Sequence, residues 1–331
     1  MRWTSLSNPD KNEEKFPAGN FSWSLSRRKL FAFCQRAYFY CYYGAADGWD
    51  DYAPAPRRLL YKLKHLRRAE DWAVELFAAA VRNHIQQNQP GKYFDPAVAA
   101  PALGREIYRL YRAGCFDIMA ENWRKDRKAI HLFEIHYGLQ LPNREERVLE
   151  YVRRRTAQLA AQWRQQPLFE LLGKLSPLEL KFCSPPVELM LGDLSVWLAP
   201  TLIWREEDRL RVLAVRGGTA HDPTELALSA GLFQLLAGQS YRVQPEQVDI
   251  TYYFTGTPEQ PPEILTTIPP LSQPEIIAVI SADTHRMLDK VLPGNLVREK
   301  DFPLADDGEK TCAECRFQEF CHSGKSITDC E

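Results

Sequence analysis

The sequence predicts an α/β protein: a helical first half followed by a small sheet flanked by helices. Two observations predict it. Up to about residue 164, apolar residues recur at spacings of three and four, as one face of a helix requires. From Val187 onward the pattern changes to short runs of β-branched, aliphatic and aromatic residues separated by turn-prone stretches.

Taken in order, Ser26 can cap a helix over 27–42, and further helices are expected over 57–66, 70–87, 102–119 and 144–164. Asn88-Gln89-Pro90-Gly91 and Leu141-Pro142-Asn143 punctuate them. Strands are expected over 187–190, 195–204 and 210–215, with Arg205-Glu206-Glu207-Asp208 as a hairpin turn. A helix over 223–237, a strand over 247–254 and a helix over 273–292 follow. The segment 302–331 is polar, reads as irregular, and carries four of the eight cysteines. The expected organisation is a tail at 1–20, an N-terminal helix with a helical insertion at 21–185, an α/β core at 186–300 and a cysteine segment at 301–331.

A chain of 331 residues can bury a large core, and 45% hydrophobic with 26% charged residues is ordinary globular composition, which argues against disorder. A formal net charge of -1 gives no global basic excess, so a nucleic-acid site has to be a local patch. Residues 1–19 contain no apolar run suited to a signal peptide, and nowhere do 18 apolar residues run together. The expectation is a soluble cytoplasmic protein that makes no use of a membrane. In that compartment cysteines serve as metal ligands, buried thiols or redox groups rather than as a disulfide framework.

Cys312, Cys315 and Cys321 form a C-x2-C-x5-C run on a segment too polar to bury them as core residues, which points to chelation. An iron–sulfur cubane or a structural zinc wants four ligands. The fourth can come from Cys34, Cys41, Cys115, Cys183, Cys330 or, for zinc, His322, and spacing does not choose among them. Cys115 and Cys183 read as buried thiols.

Phe21-Ser22-Trp23-Ser24 followed by Cys34-Gln35-Arg36-Ala37-Tyr38-Phe39-Tyr40 resembles the opening of RecB-type PD-(D/E)XK nucleases with a four-cysteine cluster, whose pattern is S-x-S and then C-P-R-x-Y. Gln35 stands where that family has proline. The resemblance runs on through 63–84, through Phe133-Glu134-Ile135-His136-Tyr137-Gly138, and through Asp301-Phe302-Pro303 to Cys321. It implies a restriction-endonuclease-like core sheet flanked by helices, a large helical insertion, and one [4Fe-4S] cluster on Cys34, Cys312, Cys315 and Cys321 that staples the termini together.

The resemblance also implies where a hydrolytic centre would be. Such enzymes hold Mg²⁺ with hard carboxylate oxygens and use a lysine beside the nucleophilic water. Here Leu198-Ala199-Pro200-Thr201 and Leu213-Ala214-Val215-Arg216-Gly217-Gly218 occupy the motif strands, so Thr201 replaces the aspartate, Ala214 the second acid and Arg216 the lysine. Glu225 and Ser229 stand at the Q-x-x-x-Y element, and only His84 is retained. The expectation is a catalytically degenerate protein that binds DNA or scaffolds a partner helicase or nuclease, with Arg216 contacting phosphate.

Two other readings stay open. An active Mg²⁺-dependent exonuclease could use relocated acids among Asp193, Glu206, Glu207, Asp208, Asp222 and Glu225, and the cluster itself could be a redox sensor. Positive runs at Arg57, Arg58, Lys62, Lys64, Arg67 and Arg68, at Arg124-Lys125 with Arg127-Lys128, and at Arg153-Arg154-Arg155 are candidate phosphate contacts.

Overall fold

The computed structural model describes residues 15–87, 131–138, 144–174, 180–181, 186–219, 222–266 and 268–323. The helix expected over 102–119 lies outside them. The fold is mixed α/β and divides into two compact units: one joins the residues up to Lys64 to those from Ser281 onward, and the other runs from His65 to Ile280. The grouping follows space rather than sequence, since both sides of the expected boundary at residue 300 fall in the first unit.

In the first unit, the helix expected over 27–42 is three pieces. Helix α1 (Leu25–Phe33) starts two residues before the expected 27, because its cap is Ser24 rather than Ser26: the Ser24 hydroxyl accepts the Arg27 amide at 3.1 Å. At Cys34 the backbone turns extended (φ -165°, ψ 119°), and a second helix, α2 (Gln35–Phe39), begins and runs into a π turn at Tyr40–Gly44. Helix α3 (Ala55–Lys64) buries Pro56, Leu60 and Leu63, with Pro56 in the first turn where a missing N–H costs nothing.

The aromatic residues of α2 and the π turn face a partner from far along the chain. Phe302 is fully buried, with its ring centroid 5.2 Å from that of Phe39, 5.7 Å from Tyr43 and 6.1 Å from Tyr38. Phe16 pairs with Val297 in a two-residue antiparallel strand contact and packs edge-on against Phe39. Trp23 Nε1 donates to the buried Asp283 carboxylate at 3.2 Å, and Arg28 and Arg286 pair with the same carboxylate.

In the second unit, helices α4 (Ala69–Gln87), α5 (Arg144–Arg164) and α6 (Pro167–Lys174) precede the strands, and α4 and α5 agree with the sequence expectation to within a residue. Strands β1 (Val187–Leu191) and β2 (Leu194–Leu198) make a hairpin whose turn holds Gly192 at φ +60°, where a glycine is unstrained. The single strand expected over 195–204 is interrupted because Pro200 has no N–H to give a ladder. Strand β3 (Leu202–Glu206) therefore starts afresh and pairs antiparallel with β4 (Arg209–Arg216) across a turn at Glu207 and Asp208.

Strand β5 (Val248–Phe254) runs parallel to β4, and β6 (Glu263–Leu265) is antiparallel to β5. With Leu180–Lys181 beside β3 they form a five-stranded sheet in the order β6-β5-β4-β3 and Leu180–Lys181. A parallel β4–β5 pair needs a crossover, and α7 (Pro223–Tyr241) supplies it.

The period of two along β4 sends its side chains to two different layers. Leu213 and Val215 join Leu202, Trp204 and Tyr253 against Phe77 and Val81 of α4 and Leu159 and Trp163 of α5. Ala214 and Arg216 alternate with them, on the side toward α7. There Tyr252 donates to Ser229 at 2.9 Å and its ring lies 6.4 Å from that of Phe233. Gly231 on α7 sits so close to Leu271 O that a Cβ there would come within 2.5 Å of it, which no side chain tolerates. Helix α8 (Gln273–Leu288) follows, and the final segment, expected to be irregular, contains helices α9 (Gly308–Glu314) and α10 (Gln318–His322).

Arg155 of α5, 2% exposed, closes the second unit internally. Its guanidinium donates to Glu70 at 2.9 Å and to the carbonyls of Thr255 and Gly256 at 3.2 and 2.9 Å. Arg155→Met should cost about 3–5 kcal/mol in urea unfolding, because it leaves two buried carbonyls without their donor and takes the cation from Glu70, which keeps only the Tyr151 hydroxyl.

At the opposite end of β4 and β5, Arg209 holds Asp249 through two bonds of 2.6 Å, and Arg211 reaches the same carboxylate. The bond from Arg209 first, and the charges of Arg211 and Arg209 after it, hold Asp249 below its ordinary 3.8 against partial burial. A depressed folded pKa gives stability that is present above 3.8 and lost as pH falls through the folded value. Asp249→Asn should therefore flatten the unfolding free energy against pH below about 4, while changing neutral stability by about 1 kcal/mol or less.

Candidate functional site

The first unit gathers thiols from the two ends of the described chain. Cys34 ends α1, where its amide still bonds Leu30 O, and begins α2, where its Sγ accepts the Ala37 amide at 3.5 Å. Cys312 lies on α9. Cys315 ends that helix, bonds Cys312 O through its amide, and accepts the Phe317 amide on its Sγ at 3.4 Å. Cys321 lies on α10, held there by the backbone bond from its amide to Phe317 O at 2.9 Å.

These four sulfurs sense one another. Burial first, and then the charges of Cys34, Cys321 and Cys312, push the Cys315 thiol up to about 11, against the bond from the Phe317 amide. Cys321 is raised by burial and by Cys312 and Cys34, with Arg36 and a hydrogen bond with Tyr40 opposing. Burial and neighbouring thiols thus make Cys315 and Cys321 harder to ionise, and a bound cation would act in the opposite direction.

Cys41 is apart from them. Burial raises its pKa, opposed by Lys64, Arg316 and Arg27, and none of the four thiols contributes. Cys115, Cys183 and Cys330, the other candidates for a fourth ligand, lie outside the described residues. Among the described residues, no group of three or more His, Cys, Asp or Glu side chains is arranged to hold a metal ion. The Cys315 thiol is nonetheless in electrostatic range of Cys34, Cys312 and Cys321.

Arg36 and Tyr40 lie near Cys321. Arg36 donates to Phe302 O at 2.8 Å and to Glu299 at 2.7 Å, and Tyr40 donates to the same Glu299 oxygen at 2.8 Å. The Tyr40 ring packs against Phe317 and Phe320 at 5.8 and 5.2 Å. Glu299 carried no signal in the sequence, because it is 263 positions from Arg36 and sits in an unremarkable polar stretch. A cavity of about 600 Å³ opens beside Cys34, walled by Arg28, Phe31, Phe33, Asp283 and Met287.

The strand positions singled out in the second unit are occupied by groups already spoken for. Thr201 is 5% exposed; its amide bonds Leu213 O at 2.8 Å and its hydroxyl accepts the Val215 amide at 2.9 Å. The hydroxyl therefore closes the ladder where Pro200 interrupts it. Ala214 is fully buried opposite Tyr252. The Arg216 guanidinium is held below its ordinary pKa by burial, with Tyr252 and then Glu225 opposing. Burial first pushes Tyr252 up to about 12, and the bond with Ser229 and the Arg216 charge oppose it.

The acidic residues near these strands are dispersed. Asp222 caps α7 through the amides of Thr224 and Glu225 at 2.9 and 3.2 Å. Glu206 pairs with Arg211 at the other end of β4, Glu207 and Asp208 form the hairpin turn, and Asp193 sits in the turn between β1 and β2. Glu225 is the one carboxylate of that set that acts on Arg216. His84 falls on the backbone of α4, and its side chain lies outside the description.

The positive runs are not uniform either. Arg57, Arg58, Lys62 and Lys64 on α3 are half-buried, the Arg57 guanidinium lies 5.3 Å from the Phe16 ring centre, and Lys64 O accepts from Arg316. Arg153 and Arg154 pair with Glu150 at the surface while Arg155 is buried, so the trio does not present one face. The run at 124–128 is outside the described residues. Among the described residues no helix is long and apolar enough to cross a membrane. Comparison with protein-family models, with curated proteins and with solved structures returned no match.

Thr201→Val should cost about 1–3 kcal/mol in denaturant unfolding by leaving the buried Val215 amide without an acceptor, and Thr201→Ser should restore most of it. A hydroxyl that served a metal instead would leave the unfolding midpoint almost unchanged in both variants.

Proposed function

We propose that this chain is a PD-(D/E)XK nuclease-like iron–sulfur protein without hydrolytic activity, which binds DNA and scaffolds a partner helicase or nuclease in a nucleic-acid-processing complex. The observation that carries the reading is the meeting of Cys34 with Cys312, Cys315 and Cys321, residues from opposite ends of the chain, in mutual electrostatic range. These four would hold a [4Fe-4S] cluster, which supplies folding energy by bridging the two ends and supplies a one-electron redox group. The amide bonds to Cys34 and Cys315 sulfurs favour the charged thiolates such a cluster needs.

The loss of hydrolysis is supported by chemistry at the strand ends. A neutral hydroxyl engaged by a backbone amide, a buried alanine and an arginine offer Mg²⁺ no carboxylate pair, and a guanidinium does not act as a base. Arg216 keeps its charge under burial and presents a fork suited to phosphate oxygens, so it is the residue best placed to meet a DNA backbone.

Anaerobic purification with iron and sulfide analysis tests the cluster: about four irons per chain are expected. Replacing Cys34, Cys312, Cys315 or Cys321 by serine should abolish iron retention and lower Tm by about 10 °C or more, while Cys41→Ser keeps both. Zinc in place of iron would remove the redox group and leave the fold reading standing. On the same sample, Mg²⁺ or Mn²⁺ should give no cleavage of single- or double-stranded DNA. Cleavage that a change at Glu225 abolishes would establish the reading with relocated acids instead. Arg216→Met should weaken DNA binding uniformly across sequences and reduce the salt slope by about 1.

A further inference from the structure

We propose that the cavity beside α1 and α8 in the first unit binds a small organic anion, a carboxylate or phosphate group carried on an apolar body. No metal at the four thiols is needed for it.

At about 600 Å³ the cavity has the volume of a small-molecule site. Its polar wall is built around one carboxylate. Asp283 is buried, and three donors converge on it: Trp23 Nε1 at 3.2 Å and Arg28 Nε at 3.1 Å meet Oδ2, and Arg286 meets Oδ1. One guanidinium neutralises a carboxylate, so the second leaves a surplus positive charge at this wall. A guanidinium carries five N–H donors, and among the described residues Asp283 is the one acceptor that either arginine engages. The remaining N–H groups are open to an anion, and Asp283, satisfied on both oxygens, holds the two forks in place.

The helical spacing that forms the charged wall also forms an apolar one. Arg28 and Phe31 are three positions apart on α1, and Asp283 stands three and four positions before Arg286 and Met287 on α8, so each helix brings charge and apolar surface to one face. Phe33 and Leu304 line the same cavity at 37% and 54% exposure, which leaves apolar surface facing water. Covering that surface with the apolar part of a ligand is favourable, and the guanidinium forks suit carboxylate and phosphate oxygens. Asp306 and Asp307 line the cavity too. Both are exposed, where water and salt screen their repulsion, and Asp307 is engaged by the Thr311 hydroxyl at 2.6 Å.

Isothermal titration calorimetry on the full-length protein tests the site with probes that share one apolar body: 2-naphthoate, 2-naphthyl phosphate and the neutral 2-naphthamide. At least one anion should bind at one site per chain, about tenfold or more tighter than the amide, the difference made by one charge-assisted hydrogen bond. The tighter of the two anions assigns the ligand as carboxylate or phosphate. Arg286→Met leaves Asp283 its contacts with Arg28 and Trp23, and should weaken the anion about tenfold while leaving the amide unchanged.

Leu304→Glu, at an exposed position on the apolar wall, should weaken the anion as well, and it decides the question if Arg286→Met does not fold. Equal binding of the anions and the amide, or anion affinities that neither variant changes, overturns the anion site and leaves an apolar cleft. Absence of binding by every probe at about 1 mM overturns the site altogether.

Discussion

The first compact unit depends on one constraint: residues near position 34 must meet residues beyond 299. Arg36 and Glu299 are 263 positions apart, and Phe302 fills the space between Tyr38, Phe39 and Tyr43. Closing so long a loop costs only slightly more entropy than closing a short one, because the cost grows with the logarithm of length. What the contact needs is therefore local strength, supplied here by a buried aromatic group and by directed bonds from Arg36 to carbonyls that would otherwise lack donors. A shared metal group at the four thiols would add to this closure directly, and would do so only after both ends had arrived.

The second unit is organised differently. Its sheet is covered by α4 and α5 on one side and approached by α7 on the other, and Arg155 fastens α5 to the end of β5 at Gly256. The strand ends that could carry chemistry are consequently crowded by groups serving the fold. Thr201 illustrates this. Pro200 removes a ladder donor, and the next residue uses its own amide and hydroxyl to restore both directions of pairing with β4.

The sequence was readable where periodicity was strong and local. Helices α4 and α5 and strands β4 and β5 lie where apolar spacing puts them, within a residue or two. It was less readable where one side chain overrides propensity. The break at Cys34 is invisible to a helical pattern that continues through it, because it arises from the thiol taking up the Ala37 amide. Short helices α9 and α10 lie in a polar stretch with too few apolar residues to show a period. Glu299 and Arg155 were illegible as partners for a simpler reason: the residues they engage are remote in sequence, and no local pattern encodes a contact 85 or 263 positions away.

The side chains at the strand ends also belong together electrostatically. A site for Mg²⁺ is an anionic field built from carboxylates that repel one another until the ion arrives. Thr201 contributes no charge, Ala214 neither charge nor dipole, and Arg216 a permanent positive charge that burial destabilises but does not remove. The acids nearby are engaged as a helix cap, in turns or with an arginine at the far end of β4, so they do not form such a field here. Of these three positions only Arg216 carries charge, and that charge is positive. A partly desolvated guanidinium beside the Glu225 carboxylate would gain from a further anion, and a phosphate oxygen has the geometry its fork suits.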